Sequence, residues 1–177
     1  MLPEHYRALY DITLQQGVAS RWEPSLQGGS FEGWVRRLFD GVHCQFTVVS
    51  LCAEDMGAVC GLVRCYGANF RHGTAQVAMF MAEETHTSGE GVEAIGIFVD
   101  FLFARYPFRK VYGESIAFNY SQFASGVGRL FQLEGVLKAH EVHLGMEYDC
   151  MVLAIHRAQW QAFGARLVER LCRRKQL

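Results

Sequence analysis

The sequence predicts an α/β (α+β) fold. One mixed, mostly antiparallel central sheet of about six to seven strands should carry helices on both faces. Three observations lead there. Short runs rich in β-branched and aromatic residues are bounded by turn-formers. The first three runs follow one another with only turns between them, as in an antiparallel meander. A long segment of helical apolar spacing then separates the third run from the fourth, which makes a crossover within one sheet.

Residues 4–16 can form a first helix, with Pro3 near its start. "GGSFEGWVRRLFDG" reads as a second. Ser30 is its candidate N-cap, Trp34, Leu38 and Phe39 share a face, and Gly41 is a stop. "CQFTVVSLC" and "GAVCGLVRCYGA" are strands separated by the turn-like "AEDMG", and "TAQVAMFMA" is the third. A long helix runs from about Gly91 to Arg105. Val92, Ile95, Phe98, Val99, Leu102 and Phe103 line its apolar face, and Pro107 ends it. "KVYGESIAF" is a strand entering Asn119. "YSQFASGVGRLFQ" has helical spacing despite two interior glycines. "GVLKAHEVHL" and "YDCMVLAIH" form a hairpin turning at Gly145, and a terminal helix follows from about Arg157.

The 177 residues fit one domain spanning 1–177, with half of them apolar and a fifth charged. A net charge of −1 argues against nucleic acid, whose binders carry a basic surplus. The basic cluster Arg166, Arg170, Arg173, Arg174 and Lys175 reads as the solvated end of the last helix. No apolar run reaches membrane-span length, and "MLPEHYRALY" is unlike a secretory leader. Six cysteines without a C-x-x-C pair read as reduced, buried small hydrophobes of a cytoplasmic protein. No membrane partner is expected.

"ETHTSGEGVEA", residues 84–94, joins the third strand to the long helix. Free amides and the positive dipole end at a helix start attract an anion, and glycines let it approach. "GEGVEA" also meets the loose Gly-x-Gly-x-x-Ala dinucleotide pattern, but such a loop usually follows a first, fully buried strand. A plain turn whose glutamates complement the helix dipole is the alternative. "HEVH", with His140 and His143, lacks the helical spacing of a zinc site, and no metal is expected. "FASGVG" fails as a serine nucleophile elbow because Phe123 holds the first glycine position. Tyr6, Tyr10, Trp22, Phe31, Trp34 and Phe39 either build core or wall a substrate pocket; Trp22 and Trp34 are the candidate substrate residues.

Four motifs stand in register over residues 76–160. His86-Thr87-Ser88-Gly89-Glu90-Gly91 is followed by Val92-Glu93-Ala94, and a strand leads to Asn119. Leu130-Phe131 precede Glu134-Gly135, and Gly145 and Asp149 precede "MVLAI" and Trp160. Together they resemble the GNAT superfamily of acyl-CoA-dependent N-acyltransferases, most closely the branch similar to ribosomal-protein N-acetyltransferases.

The resemblance implies that acetyl-CoA is co-substrate and that a primary amine of a small molecule or protein is acceptor. It also leaves a homodimer possible. The amides of 86–92 would hold the CoA pyrophosphate, and Phe80, Met81 and Ala82 would pair with pantetheine and aim an N–H at the thioester oxygen. Splay between "VAMFMA" and "VYGESIAF" would admit the cofactor, with Asn119 beside it. Glu114 stands where some members carry a general base. On a strand it shares a face with Ile116 and Phe118, and an acid on an apolar face suits base work. His86 replaces the family's Arg or Gln, and Glu90 adds a negative charge expected to point to solvent. Gly126 stands seven residues after Asn119, where a tyrosine often protonates the leaving thiolate. Ser121 and Ser125 are the nearby hydroxyls. The alternative function is a catalytically degenerate CoA-binding or interaction module.

Overall fold

The computed structural model describes residues 1–19, 29–51, 54–85, 89–120, 126–164 and 166–169. After a short turn at Pro3–His5 come helices α1 (Tyr6–Thr13), α2 (Gln16–Ala19) and α3 (Phe31–Arg37). The expected first helix breaks after Thr13, whose hydroxyl turns back onto the Tyr10 carbonyl at 2.6 Å. Ser30 caps α3 as its position predicts, accepting from the Gly33 amide at 3.2 Å. Gly41 has φ +66°, a conformation glycine takes at little cost.

The meander is β1 (Val42–Val49), β2 (Val59–Asn69) and β3 (Thr74–Met81). Helix α4 (Glu90–Arg105) crosses to β4 (Lys110–Ile116), which runs into the short helix α5 (Ala117–Tyr120). The hairpin β5 (Gln132–His143) and β6 (Met146–His156) turns through Leu144 and Gly145, the latter at φ +78°. Then come α6 (Arg157–Gln159), a wide helical turn at Trp160–Gly164 and helical residues 166–169. The strand order is β1-β2-β3-β4-β6-β5, and the β3–β4 pair is the parallel one.

Two cores form because β2 and β3 alternate. Val63, Cys65, Ala75 and Val77 face α4, where they meet Phe98, Val99, Leu102 and Phe103. Leu62, Phe80 and Ala82 face the other way, onto Leu9, Ile12, Trp34 and Leu38 of α1, α3 and the turn after α3. The C-terminal end of α4 is closed from a distance. The Arg157 guanidinium donates to the carbonyls of Phe103, Tyr106 and Phe108, a planar fork satisfying oxygens around the helix end. Burial pushes the Cys65 thiol up to about 12, and the Cys60 thiol donates to the Val48 carbonyl.

Segment 126–131 departs from the helical spacing read in the sequence. Arg129 and Leu130 donate back to the Gly126 carbonyl at 3.1 and 2.7 Å, closing a tight turn with Gly128 at φ +77°. Two glycines make helix costly there, and the turn returns the chain to start β5.

Lys110 is 8 % exposed at the start of β4. Its Nζ donates to both oxygens of Glu134 at 3.0 and 2.8 Å, and His156 Nε2 lies 3.1 Å from Oε1. The Lys110 hydrogen bond, opposed by some desolvation, holds the Glu134 carboxyl below its ordinary range. Its contribution to stability is therefore complete above the ordinary glutamate value, ~4.3, and is lost as pH falls through the lowered folded value. Urea unfolding from neutrality down to about pH 3 should show this loss. Glu134→Gln should shrink it while lowering stability at neutral pH, because the buried ammonium loses its counter-charge. An unchanged acid limb in that variant would contradict the account.

Candidate functional site

The pairing of β3 with β4 stops early. Thr74, Ala75 and Gln76 pair with Lys110, Val111 and Tyr112, and the register ends there. β3 continues to Met81 and β4 to Ile116, each still paired on its other side, with β2 and β6. The sheet is thus split along the C-terminal halves of its two parallel strands. Such a split in an α/β sheet, outside the carboxyl ends of parallel strands, is a common ligand position.

One wall of the split is held tightly. Phe80 is buried against the α1 side and Met81 against the α4 side. Ala82, just beyond the strand, donates to the Cys60 carbonyl at 2.8 Å. Gly61 on β2 lies so close that an added Cβ would fall on the Phe80 carbonyl oxygen and 2.7 Å from Met81 Sδ.

The start of α4 sits at the carboxyl end of β3. Gly89 is its N-cap at φ +78°, exposed and with no side chain to cap the first-turn amides. Gly91 lies over Met79 and Met81, where a Cβ would come within 3.4 Å of Met79 Cε and 3.3 Å of Met81 Cγ. Glu90 corrects the sequence expectation. It is 8 % exposed rather than solvent-directed, and its Oε1 accepts from Ser50 Oγ at 3.1 Å. Ser50 is fixed there at the end of β1 by bonds to Ala58 and Gly57. The added acid is therefore turned inward, while Val92 in the same turn is 56 % exposed. Of the remaining loop candidates, His86, Thr87 and Ser88 lie outside the described residues.

Glu114 lies on β4 opposite Val152 of β6, on the open half of the face that carries α1 and α3. The sequence reading expected an acid on an apolar face; the side chain is exposed, because α1 and α3 pack over β2 and β3. Cys150, buried in β6 opposite Ile116, has its thiol raised by burial and then by the charges of Glu114 and Glu141. Asn119 sits in α5 rather than at a strand end, half-buried.

Gly126 has a steric reason. A Cβ at this position would come 2.6 Å from Phe131 Cε1, so the Phe131 ring occupies the space a side chain would need. Ser121 and Ser125 lie outside the described residues, as does Trp22. Trp34, the other candidate substrate residue, is instead fully buried core, 5.8 Å from the Tyr10 ring. Among the described residues no three His, Cys, Asp or Glu side chains group to hold a metal ion, and no helix is long and apolar enough to cross a membrane.

Solved structures share this architecture. Spermidine N-acetyltransferase from Vibrio cholerae, in complex with CoA and spermine, superposes with a TM-score of 0.75 at 20 % identity, over 91 % of this chain and 95 % of that one. The fold is that of the GNAT N-acetyltransferases. A spermidine/spermine N-acetyltransferase SpeG from Vibrio cholerae with manganese ions matches at 0.71 and 19 %, over 92 % of each chain. Mutant forms of that enzyme match at 0.73 and 20 %, over 92 % of this chain and 94 % of that one. No family model matches the sequence, and no curated protein matches it. These structures support the superfamily fold and not the ribosomal-protein branch that the motifs resemble.

Sequence reading missed the Ser50–Glu90 contact, which joins positions 40 apart and has no local signal. It also missed the close approach at Gly61, although a glycine inside a strand pattern is a usable sign. Gly61→Ala should lower stability by about 1–3 kcal/mol through overpacking against β3. Urea unfolding measures this, and an unchanged midpoint would show that β3 yields freely.

Proposed function

We propose that the protein is an acyl-CoA-dependent N-acetyltransferase that transfers an acetyl group directly to a primary amine. The observation that carries this reading is the split between β3 and β4, with the glycine-rich start of α4 at its open end. The two halves fit the two ends of one ligand. A helix N-terminus with Gly89 and Gly91 suits a pyrophosphate. An extended, amide-bearing arm suits a strand whose neighbour has parted from it. Glu90 accepts a hydrogen bond from Ser50 rather than lying open to solvent.

Gly89, Gly91 and Val92 would hold the pyrophosphate, and the backbone of Phe80, Met81 and Ala82 would align the pantetheine arm. The acyl thioester supplies an activated carbonyl. A peptide N–H of β3 stabilises the developing oxyanion, an effect worth about 3–4 kcal/mol elsewhere. Glu114 accepts the proton that the amine must lose. The new C–N bond forms as the C–S bond breaks, and the thiolate departs. With Gly126 closed by Phe131, the thiolate is protonated by solvent. The acceptor is a small-molecule amine; the structural neighbour bound to spermine supports that class.

The test is incubation with acetyl-CoA and a panel of amines, including spermidine, spermine, simple monoamines and a peptide N-terminus, following thiol release. CoA alone should raise the melting temperature. Glu114→Gln should keep that shift and lower kcat by about 100-fold or more, as expected for a lost general base. Stabilisation without turnover on any amine would assign the alternative, a CoA-binding module. Absence of stabilisation by any acyl-CoA would overturn both readings.

A further inference from the structure

We infer that Glu83 is a positioning residue for the proposed cofactor site, acting through a clasp that ties the exit of β3 to the α1–α2 corner. The inference rests on the acetyltransferase reading above. The clasp is a reciprocal exchange. Gln15 Oε1 accepts from the Glu83 backbone N–H at 2.9 Å, and Glu83 Oε1 accepts from the Gly17 backbone N–H. Gln15 Nε2 reaches Glu84 Oε2 at 3.5 Å. These bonds join segments 66 to 69 residues apart in sequence.

The chemistry favours a carboxylate here. The Gly17 amide lies in the first turn of α2, where amides lack intrahelical acceptors. Gly17 leaves room for that carboxylate: a Cβ there would sit 2.6 Å from Glu83 Oε1, so the carboxylate would have to shift. Beneath the polar exchange, Val18 belongs to the same buried cluster as Ile12, Phe80 and Ala82.

The clasp sits at the exit of β3. The turn Glu83–Thr85 leads from β3 toward Gly89. Thr85 holds the Ala82 carbonyl through both N and Oγ1, at 3.0 and 2.8 Å, and Ala82 is held to β2. Those contacts shape the turn and anchor it to the sheet. The clasp adds a link to α1 and α2, setting the turn's place over one wall of the split. Loosening it should cost cofactor affinity and leave the chemical step intact.

The experiment is calorimetric titration of CoA, with steady-state kinetics, on three variants. Glu83→Ala should weaken CoA binding about fivefold, the size of one ordinary net hydrogen bond at an exposed position. It should raise KM for acetyl-CoA equally and leave kcat within about twofold. Glu83→Gln keeps an oxygen acceptor and should restore most of the affinity. Gly17→Ala leaves Glu83 in place but displaces its carboxylate, and should match Glu83→Ala. The Gly17→Ala/Glu83→Ala pair should be no weaker than either single change, since both break one contact.

Amide exchange on the same variants reads the clasp without the cofactor: the Gly17 amide should exchange faster in Glu83→Ala. Wild-type protein that does not bind CoA overturns the acetyltransferase reading. Wild-type protein that binds CoA, with variants of unchanged affinity, overturns the positioning role. Equal losses in kcat and kcat/KM would also overturn it.

Discussion

Three residue pairs join β3 to β4, and the place where they stop governs the site. A continuous ladder would have satisfied both strand edges with each other and left no room between them. Because pairing ends at Gln76 and Tyr112, the sheet keeps its continuity at one end and opens at the other. The crossover helix explains how the strands can part. α4 occupies 16 residues between them and packs on β2 and β3, so β4 returns parallel and is then drawn toward β6, with which it pairs along its whole length.

The start of α4 shows how one position can read differently in one dimension and in three. Glu90 stands beside the glycines that suit an anion, and in the sequence it looks like a misplaced charge. The fold brings the end of β1 to that point, and the Ser50 hydroxyl takes the carboxylate. A buried carboxylate is costly without hydrogen bonds, so this contact is part of what lets the glycine turn carry an acid at all.

Gly126 follows the same logic from the side of space. Its register raises the question of a missing side chain, and the answer is the Phe131 ring five residues on, folded back over it by a turn. Trp34 makes the converse point. An aromatic on the amphipathic face of α3 suits either core or pocket, and burial with Leu9, Leu38 and Tyr10 decides for core. Glu114 was singled out by the family resemblance, yet its exposure depends on how far α1 and α3 extend over the sheet, which no local pattern encodes.

By itself the sequence determined the three-strand meander, the apolar face of α4 from Ile95 onward and its proline stop, the Ser30 cap and the Gly145 hairpin. Each depends on neighbours a few residues away, where backbone sterics and side-chain periodicity act. The glycine-rich connection to α4 was legible for the same reason, while the expected fold came from the resemblance of four motifs. The resemblance implied a split between β3 and β4, but only the tertiary structure decided the residue pair at which it begins, which way Glu90 turns, that Trp34 is core, and that Glu83 meets Gly17. Those outcomes rest on contacts between residues tens of positions apart. Their energies exist only once the chain has closed on itself, and no short window of sequence contains both partners.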